Sequence, residues 1–186
     1  MKPHLVIIGL GNPGKQYERT RHNAGFLALD AVAAALGEGE WEEKPRFGCL
    51  QREARVLGAA VLLVKPLTFM NRSGETVRKL VDYYKLDPKH QILVLTDELD
   101  IALGEVRLRM KGGPGTHNGL RSIVSQIGEE FPRLRIGIGG SNPKGEELAT
   151  WVLSIPPPEE QKILHACIAT IPERVRAYVL ENPVDD

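Results

Sequence analysis

The sequence holds little cysteine: Cys49 and Cys167 are the only two in 186 residues. Two thiols build neither a disulfide framework nor a four-thiolate zinc site, so a reducing cytoplasm is the expected setting. A long apolar run is also missing. Stretches such as Ala59 to Val64 are far too short to span a bilayer, and no membrane partner is expected. The apolar run after Met1-Lys2-Pro3-His4 ends at Gly9 without a signal-peptide cleavage pattern, and it reads as a first strand. Metal-ligand spacing is absent too. None of His4, His22, His90, His117 and His165 forms an H-x-x-x-H pair or neighbours a cysteine pair, so no metal is expected. Finally, 24 basic and 24 acidic residues leave no net charge.

That neutrality is unevenly distributed. Residues 102–145 carry 7 basic and 3 acidic side chains, while residues 146–186 carry 3 basic and 8 acidic. A local basic face beside an acidic end fits a polyanion held at one place. What is present otherwise is ordinary: 42% hydrophobic and 26% charged residues, enough for one globular domain over residues 1–186. Disorder throughout and a collagen-like chain are excluded.

Apolar periodicity predicts strands at His4–Leu10, Gln91–Thr96, Glu105–Met110 and Leu134–Ile138, and a hairpin of Arg46–Val56 with Ala59–Val64 about Leu57-Gly58. It predicts helices at Asn23–Gly37, Ser73–Lys85, Asn118–Gly128 and Glu159–Leu180, the last kinked at Pro172. The mixture predicts one α/β domain with a mixed, twisted central sheet flanked by helices.

Gly9-Leu-Gly-Asn-Pro-Gly14 matches G-x-G-x-x-G, but the context opposes a dinucleotide site. Helical periodicity starts near Asn23 instead of at the third glycine, and Asp30 lies inside that helix instead of at a second strand's end. A tight turn exposing Asn12 is the better reading.

Chemistry gathers elsewhere. His22 precedes Asn23, the expected N-cap of the first helix, where a helix N-terminus favours neutral imidazole and hence a general base. Thr96-Asp-Glu-Leu-Asp100 follows a buried strand, where an aspartate could orient that histidine; either Asp97 or Asp100 meets the requirement. Asn12, Asn71 and Asn118 sit at glycine-rich turns or helix starts and together suggest amide recognition. No Ser or Cys occupies a nucleophile elbow, so a His–Asp pair would direct water itself.

These segments also carry a resemblance. Gly9–Gly14, Tyr17, Thr20-Arg-His-Asn-Ala-Gly25, Lys65-Pro-Leu-Thr-Phe-Met-Asn-Arg-Ser-Gly74, Asp97–Asp100, His117-Asn-Gly119 and Arg133-Leu-Arg-Ile-Gly-Ile-Gly139 resemble, in order, the bacterial-type peptidyl-tRNA hydrolases. The resemblance runs from about residue 5 to 155. It implies hydrolysis of the ester joining peptide to tRNA, without cofactor, by a cytoplasmic monomer. It implies His22 as base and Asp97 as its partner. Asn12, Tyr17, Met70, Asn71, His117 and Asn118 would line the peptide and 3′-end channel, with Asn23 helping to place the tRNA end. Arg109 and Arg135 would clamp a 5′-side phosphate. A rival reading is a non-catalytic RNA-binding module on the same fold, and ester cleavage discriminates the two.

Overall fold

A computed structural model describes residues 1–139 and 144–183. Strand β1 (Leu5–Gly9) leads through two 3-10 turns (Lys15–Tyr17 and Arg21–Asn23) into α1 (Ala24–Leu36). Strands β2 (Gly37–Lys44), β3 (Cys49–Val56) and β4 (Ala59–Pro66) follow, then a 3-10 turn at Met70–Arg72, α2 (Ser73–Tyr84) and the one-turn α3 (Pro88–Gln91). Next come β5 (Ile92–Ala102), β6 (Val106–Arg109), α4 (Asn118–Ile127) and β7 (Arg133–Gly139). Three helices end the chain: α5 (Glu146–Val152), α6 (Pro158–Ile168) and α7 (Ile171–Glu181).

The seven strands form one sheet in the order β2-β3-β4-β1-β5-β7-β6. Four central strands, β4-β1-β5-β7, run parallel, and antiparallel strands extend both edges. Central parallel strands are covered on both faces, which is why β1 is an unbroken apolar run. Its pleat splits the core. Leu5 and Ile7 face α1, α6 and α7, whereas Val6 and Ile8 face α2 and α4. Strand order reverses at β1, whose neighbours β4 and β5 lie on opposite sides, so a crevice opens at the carboxyl ends of β1 and β5.

The hairpin forms where expected, with Val56 opposite Ala59 across Leu57-Gly58, both at positive φ. Four expectations change. The predicted helix at Glu159–Leu180 is two helices, broken at Ala169-Thr170, where the Thr170 hydroxyl donates to Cys167 O at 2.7 Å. Pro172 produces no kink, because it sits in the first turn of α7, where a missing N–H costs nothing. Strand β5 runs beyond Thr96 to Ala102, so Asp97 lies within a strand and not in a turn after it. Asn23 does precede α1, but its side chain makes no capping bond. Strand β2 and α5 have no counterpart in the apolar pattern. Among the described residues, no helix is long and apolar enough to cross a membrane.

Candidate active site

The second 3-10 turn, Arg21–Asn23, holds His22 at the crevice. Gly25 lets this turn approach the sheet: a Cβ there would lie 2.4 Å from Leu95 O and 2.6 Å from Leu10 O. Arg21 anchors the turn from behind. Its guanidinium donates to Ser154 Oγ at 2.6 Å and Glu160 at 2.9 Å, and lies 4.4 Å from the Trp151 ring. Asn23 fixes the turn in front. Its Oδ1 accepts the Asn12 N–H at 2.8 Å, and its Nδ2 donates to Asn12 O at 2.9 Å. Asn12 Oδ1 in turn accepts the Met70 N–H at 2.8 Å. This sets the Asn12 amide the right way round and leaves Nδ2 as a donor with no bond among the described residues.

Asp97 is 3% exposed, and each of its oxygens meets an imidazole. Oδ2 lies 2.9 Å from His22 Nδ1, and Oδ1 lies 2.8 Å from His117 Nε2. The two rings stand 4.8 Å apart. His117 Nδ1 accepts the backbone N–H groups of Gly119 and Leu120 at 3.1 and 3.2 Å, making this side chain the N-cap of α4. Its proton therefore sits on Nε2, facing Asp97. His22 has no such second partner. Nδ1–H donates to Asp97, and Nε2 makes no bond among the described residues.

Burial works against the Asp97 charge, but the two imidazoles outweigh it and hold the carboxyl well below the usual carboxylate range. Burial also opposes charge on His22, yet Asp97 prevails and raises His22 above its ordinary value. A helix N-terminus alone was expected to favour the neutral ring; a contacting carboxylate is the stronger influence. Between the two candidate aspartates the geometry is unequal. Asp97 touches His22, whereas Asp100 is exposed, with its backbone N–H on Glu98.

His22 and Asp97 open onto a cleft of about 380 Å³. Arg109, Arg135, Leu148, Val152, His117 and Asn118 also line it. The pairing of β6 with β7 sets Arg107 opposite Arg135 and Arg109 opposite Arg133. Opposed residues, and residues two apart, share a face, so four arginines project together. Arg133, absent from the sequence-based candidates, is 1% exposed, lies 4.0 Å from the Phe131 ring and donates to Glu129 O and Gly113 O at 3.0 and 3.4 Å. Burial, with Arg109 and Arg135 beside it, pulls its pKa down to about 10. The Arg135 Nε is buried without a partner.

The remaining candidates are dispersed around this centre. Met70 is buried, and Asn71 and Asn118 are exposed at the starts of α2 and α4. Tyr17 is half-buried, its backbone bonded to Gly14 and Thr20. None of Asn12, Tyr17, Asn23, Met70 and Asn71 lines the arginine-walled cleft. Asn23, expected to meet the tRNA end, is 2% exposed, and its amide is committed to Asn12. Arg21 was also missed as a positioning group; its place beside His22 was visible, but its distant partners in α5 and α6 were not.

His22, Asp97 and His117 are also of metal-binding types, with ligand atoms within 4.8 Å of one another. Histidine spacing gave no hint of this grouping. Both carboxylate oxygens already accept imidazole N–H groups, so a cation would have to displace both protons. Neither cysteine supplies a nucleophile. Burial pushes Cys49 up to about 11 and raises Cys167, which keeps both as thiols.

The site joins a buried carboxylate, two imidazoles and neighbouring arginines at one cleft, groups of the kind that acid–base chemistry uses. The peptidyl-tRNA hydrolase family model matches residues 6–185. The peptidyl-tRNA hydrolase of Aquifex aeolicus is 47% identical over 165 residues, covering 88% of this chain and 83% of that one. That of Chloroflexus aggregans is 44% identical over 179 residues, covering 95% and 93%. The crystal structure of peptidyl-tRNA hydrolase from Acinetobacter baumannii superposes with a TM-score of 0.83 at 36% identity, covering 100% of this chain and 97% of that one. The chain belongs to the peptidyl-tRNA hydrolase family, and it is a hydrolase.

Proposed function

We propose that the protein cleaves the ester between peptide and tRNA in peptidyl-tRNA, with His22 as general base toward water. The observation that carries this is the asymmetry of the two histidines. Both bond Asp97, but only His22 keeps an uncommitted nitrogen, at the cleft. Water gives a proton to His22 Nε2 as its oxygen attacks the ester carbonyl. Asp97 stabilises the imidazolium that forms. The tetrahedral intermediate then expels the ribose oxygen, which takes the proton back. Asn12 Nδ2 is the donor best fixed to bind a substrate carbonyl or the developing oxyanion, and the exposed amides of Asn71 and Asn118 are further candidates for peptide groups. Met70 and Tyr17 are assigned to the same peptide and 3′-end channel.

Arg109 and Arg135 are assigned to a phosphate on the 5′ side. They are cross-strand diagonal neighbours, a relation that spans roughly 7–8 Å between backbones, within reach of two guanidiniums on one phosphate. We assign the activity to residues 1–186 as a single domain, acting as a monomer in the cytoplasm. The test is release of peptide from purified peptidyl-tRNA. His22→Ala should lower single-turnover cleavage by at least ~10²-fold while tRNA binding persists. Wild-type binding without cleavage would instead favour the RNA-binding module.

A further inference from the structure

His117 has no polar atom left for a substrate. Its Nδ1 is filled by two backbone N–H groups, and its Nε2–H faces Asp97 Oδ1 at 2.8 Å and Thr96 Oγ1 at 3.0 Å. Its ring joins the start of α4 to the carboxylate that also holds His22. We propose that His117 is a positioning residue that sets the basicity of His22 through Asp97, and that it does not bind substrate. The proposal rests on the reading of His22 as the base.

A carboxylate has one charge to share among its donors. With two imidazole N–H groups upon it, neither receives the whole of its attraction. Without the His117 donor, Asp97 would act on His22 alone and favour the imidazolium more strongly. His22 would then need a higher pH to become a neutral base. His117 is thus a counterweight: it steadies Asp97 while limiting how tightly Asp97 holds a proton on His22.

The other charged groups near His22 leave this balance to Asp97. Arg21, on the same turn, points to Ser154 and Glu160. Glu98 and Asp100 of β5, Arg109 of β6, and Arg133 and Arg135 of β7 line the same cleft, while α5 presents Leu148, Ala149 and Val152. Asp97 alone touches the His22 ring through a hydrogen bond and drives its upward shift against burial.

The discriminating variant is His117→Asn. Asparagine is among the best N-cap residues, so α4 keeps its start, but a short side chain occupied by capping no longer donates to Asp97. Two midpoints are measured: the His22 ring titration by NMR in substrate-free protein, and the pH profile of kcat/KM on peptidyl-tRNA. Both should rise together by about half to one pH unit, with KM little changed. His117→Ser, a second N-cap residue, should reproduce the rise if the asparagine variant folds poorly. An unmoved or lowered NMR midpoint overturns the proposal. So does a raised KM with an unmoved profile, which would make His117 a substrate contact. If the NMR midpoint rises while the rate profile stays fixed, the coupling holds and the assignment of His22 as base fails.

Discussion

Replacing Asp97 with Asn tests the site through a single atom pair. Asparagine has the shape of aspartate but offers one acceptor and one donor, where two imidazole N–H groups now require two acceptors. One histidine must therefore change tautomer. His117 resists: moving its proton to Nδ1 would break the bonds from Gly119 N and Leu120 N, at 3.1 and 3.2 Å. Leaving each buried donor unpaired costs about 1–3 kcal/mol, or about 2–6 kcal/mol for the two. The asparagine oxygen thus stays with His117, and its NH2 faces His22 Nδ1. His22 then carries its proton on Nε2, the nitrogen needed as base. Only the fraction flipped the other way remains productive, which predicts a further loss of ~30-fold to ~10⁴-fold beyond that from losing the carboxylate charge.

The comparison with Asp97→Ala sharpens the test. Alanine forces no tautomer on His22, so part of the population keeps a free Nε2, although stabilisation of the imidazolium is lost. We expect a decrease of about 10²-fold, with Asp97→Asn the slower of the two. Single-turnover peptide release measures both rates, and ring ¹⁵N shifts report which nitrogen of His22 is protonated. Should Asp97→Asn cleave as fast as Asp97→Ala, or keep the proton on Nδ1 of His22, the tautomer argument fails.

The raised pKa of His22 fixes a pH window. Cleavage requires the neutral ring, so kcat/KM should climb with pH to a plateau, its midpoint above the ordinary 6.5, and a midpoint below that value would contradict the Asp97 pairing. The same shift adds stability that is complete below about pH 6.5 and fades as pH rises through the folded-state value, which denaturant unfolding at pH 6 and pH 9 of wild type and His22→Gln measures. Arg109→Ala and Arg135→Ala should each weaken tRNA binding and lower the salt slope by about one or less, with kcat nearly unchanged. A short ester substrate without the phosphate should ignore both changes; equal losses on both substrates would assign these arginines to folding or to the chemistry.

Much of the fold was legible because burial writes itself as apolar periodicity. The run of β1, the first half of β5 and the stripes of α2 and α4 appeared where the pattern placed them. The unread parts are those whose residues do little burying. Strand β2, Gly-Glu-Gly-Glu-Trp-Glu-Glu-Lys, is an edge strand paired only to β3, with an irregularity between Glu38 and Glu42, and its mostly outward side chains leave no apolar alternation. Helix α5 has no fully buried residue. The α6–α7 stripe did predict burial, but Leu164, Cys167, Ile171 and Val175 serve one core whether or not the backbone between them is broken.

The site was legible by residue type and illegible by geometry. Sequence spacing could not separate Asp97 from Asp100, because the choice depends on β5 continuing past Thr96. Once the strand extends, the pleat buries Asp97 against His22, while Asp100 lies exposed. Nor could it reveal that the His117 side chain caps α4 while His22 Nε2 has no bond among the described residues, the difference on which the proposed base assignment rests. The cationic wall shows the same dependence on register. A chain with zero net charge offers no global attraction to RNA, and scattered arginines would be screened within about 8–10 Å. Antiparallel pairing of Arg107 with Arg135 and Arg109 with Arg133 turns four separate charges into one face. Glu105 pairs with Arg107 at 2.8 Å, whereas Arg133 is buried among backbone carbonyls and bonds to no carboxylate among the described residues. A one-residue slip of β6 would send Arg107 and Arg109 to the opposite face of the sheet, so the anion site resides in the strand register as much as in the arginines themselves.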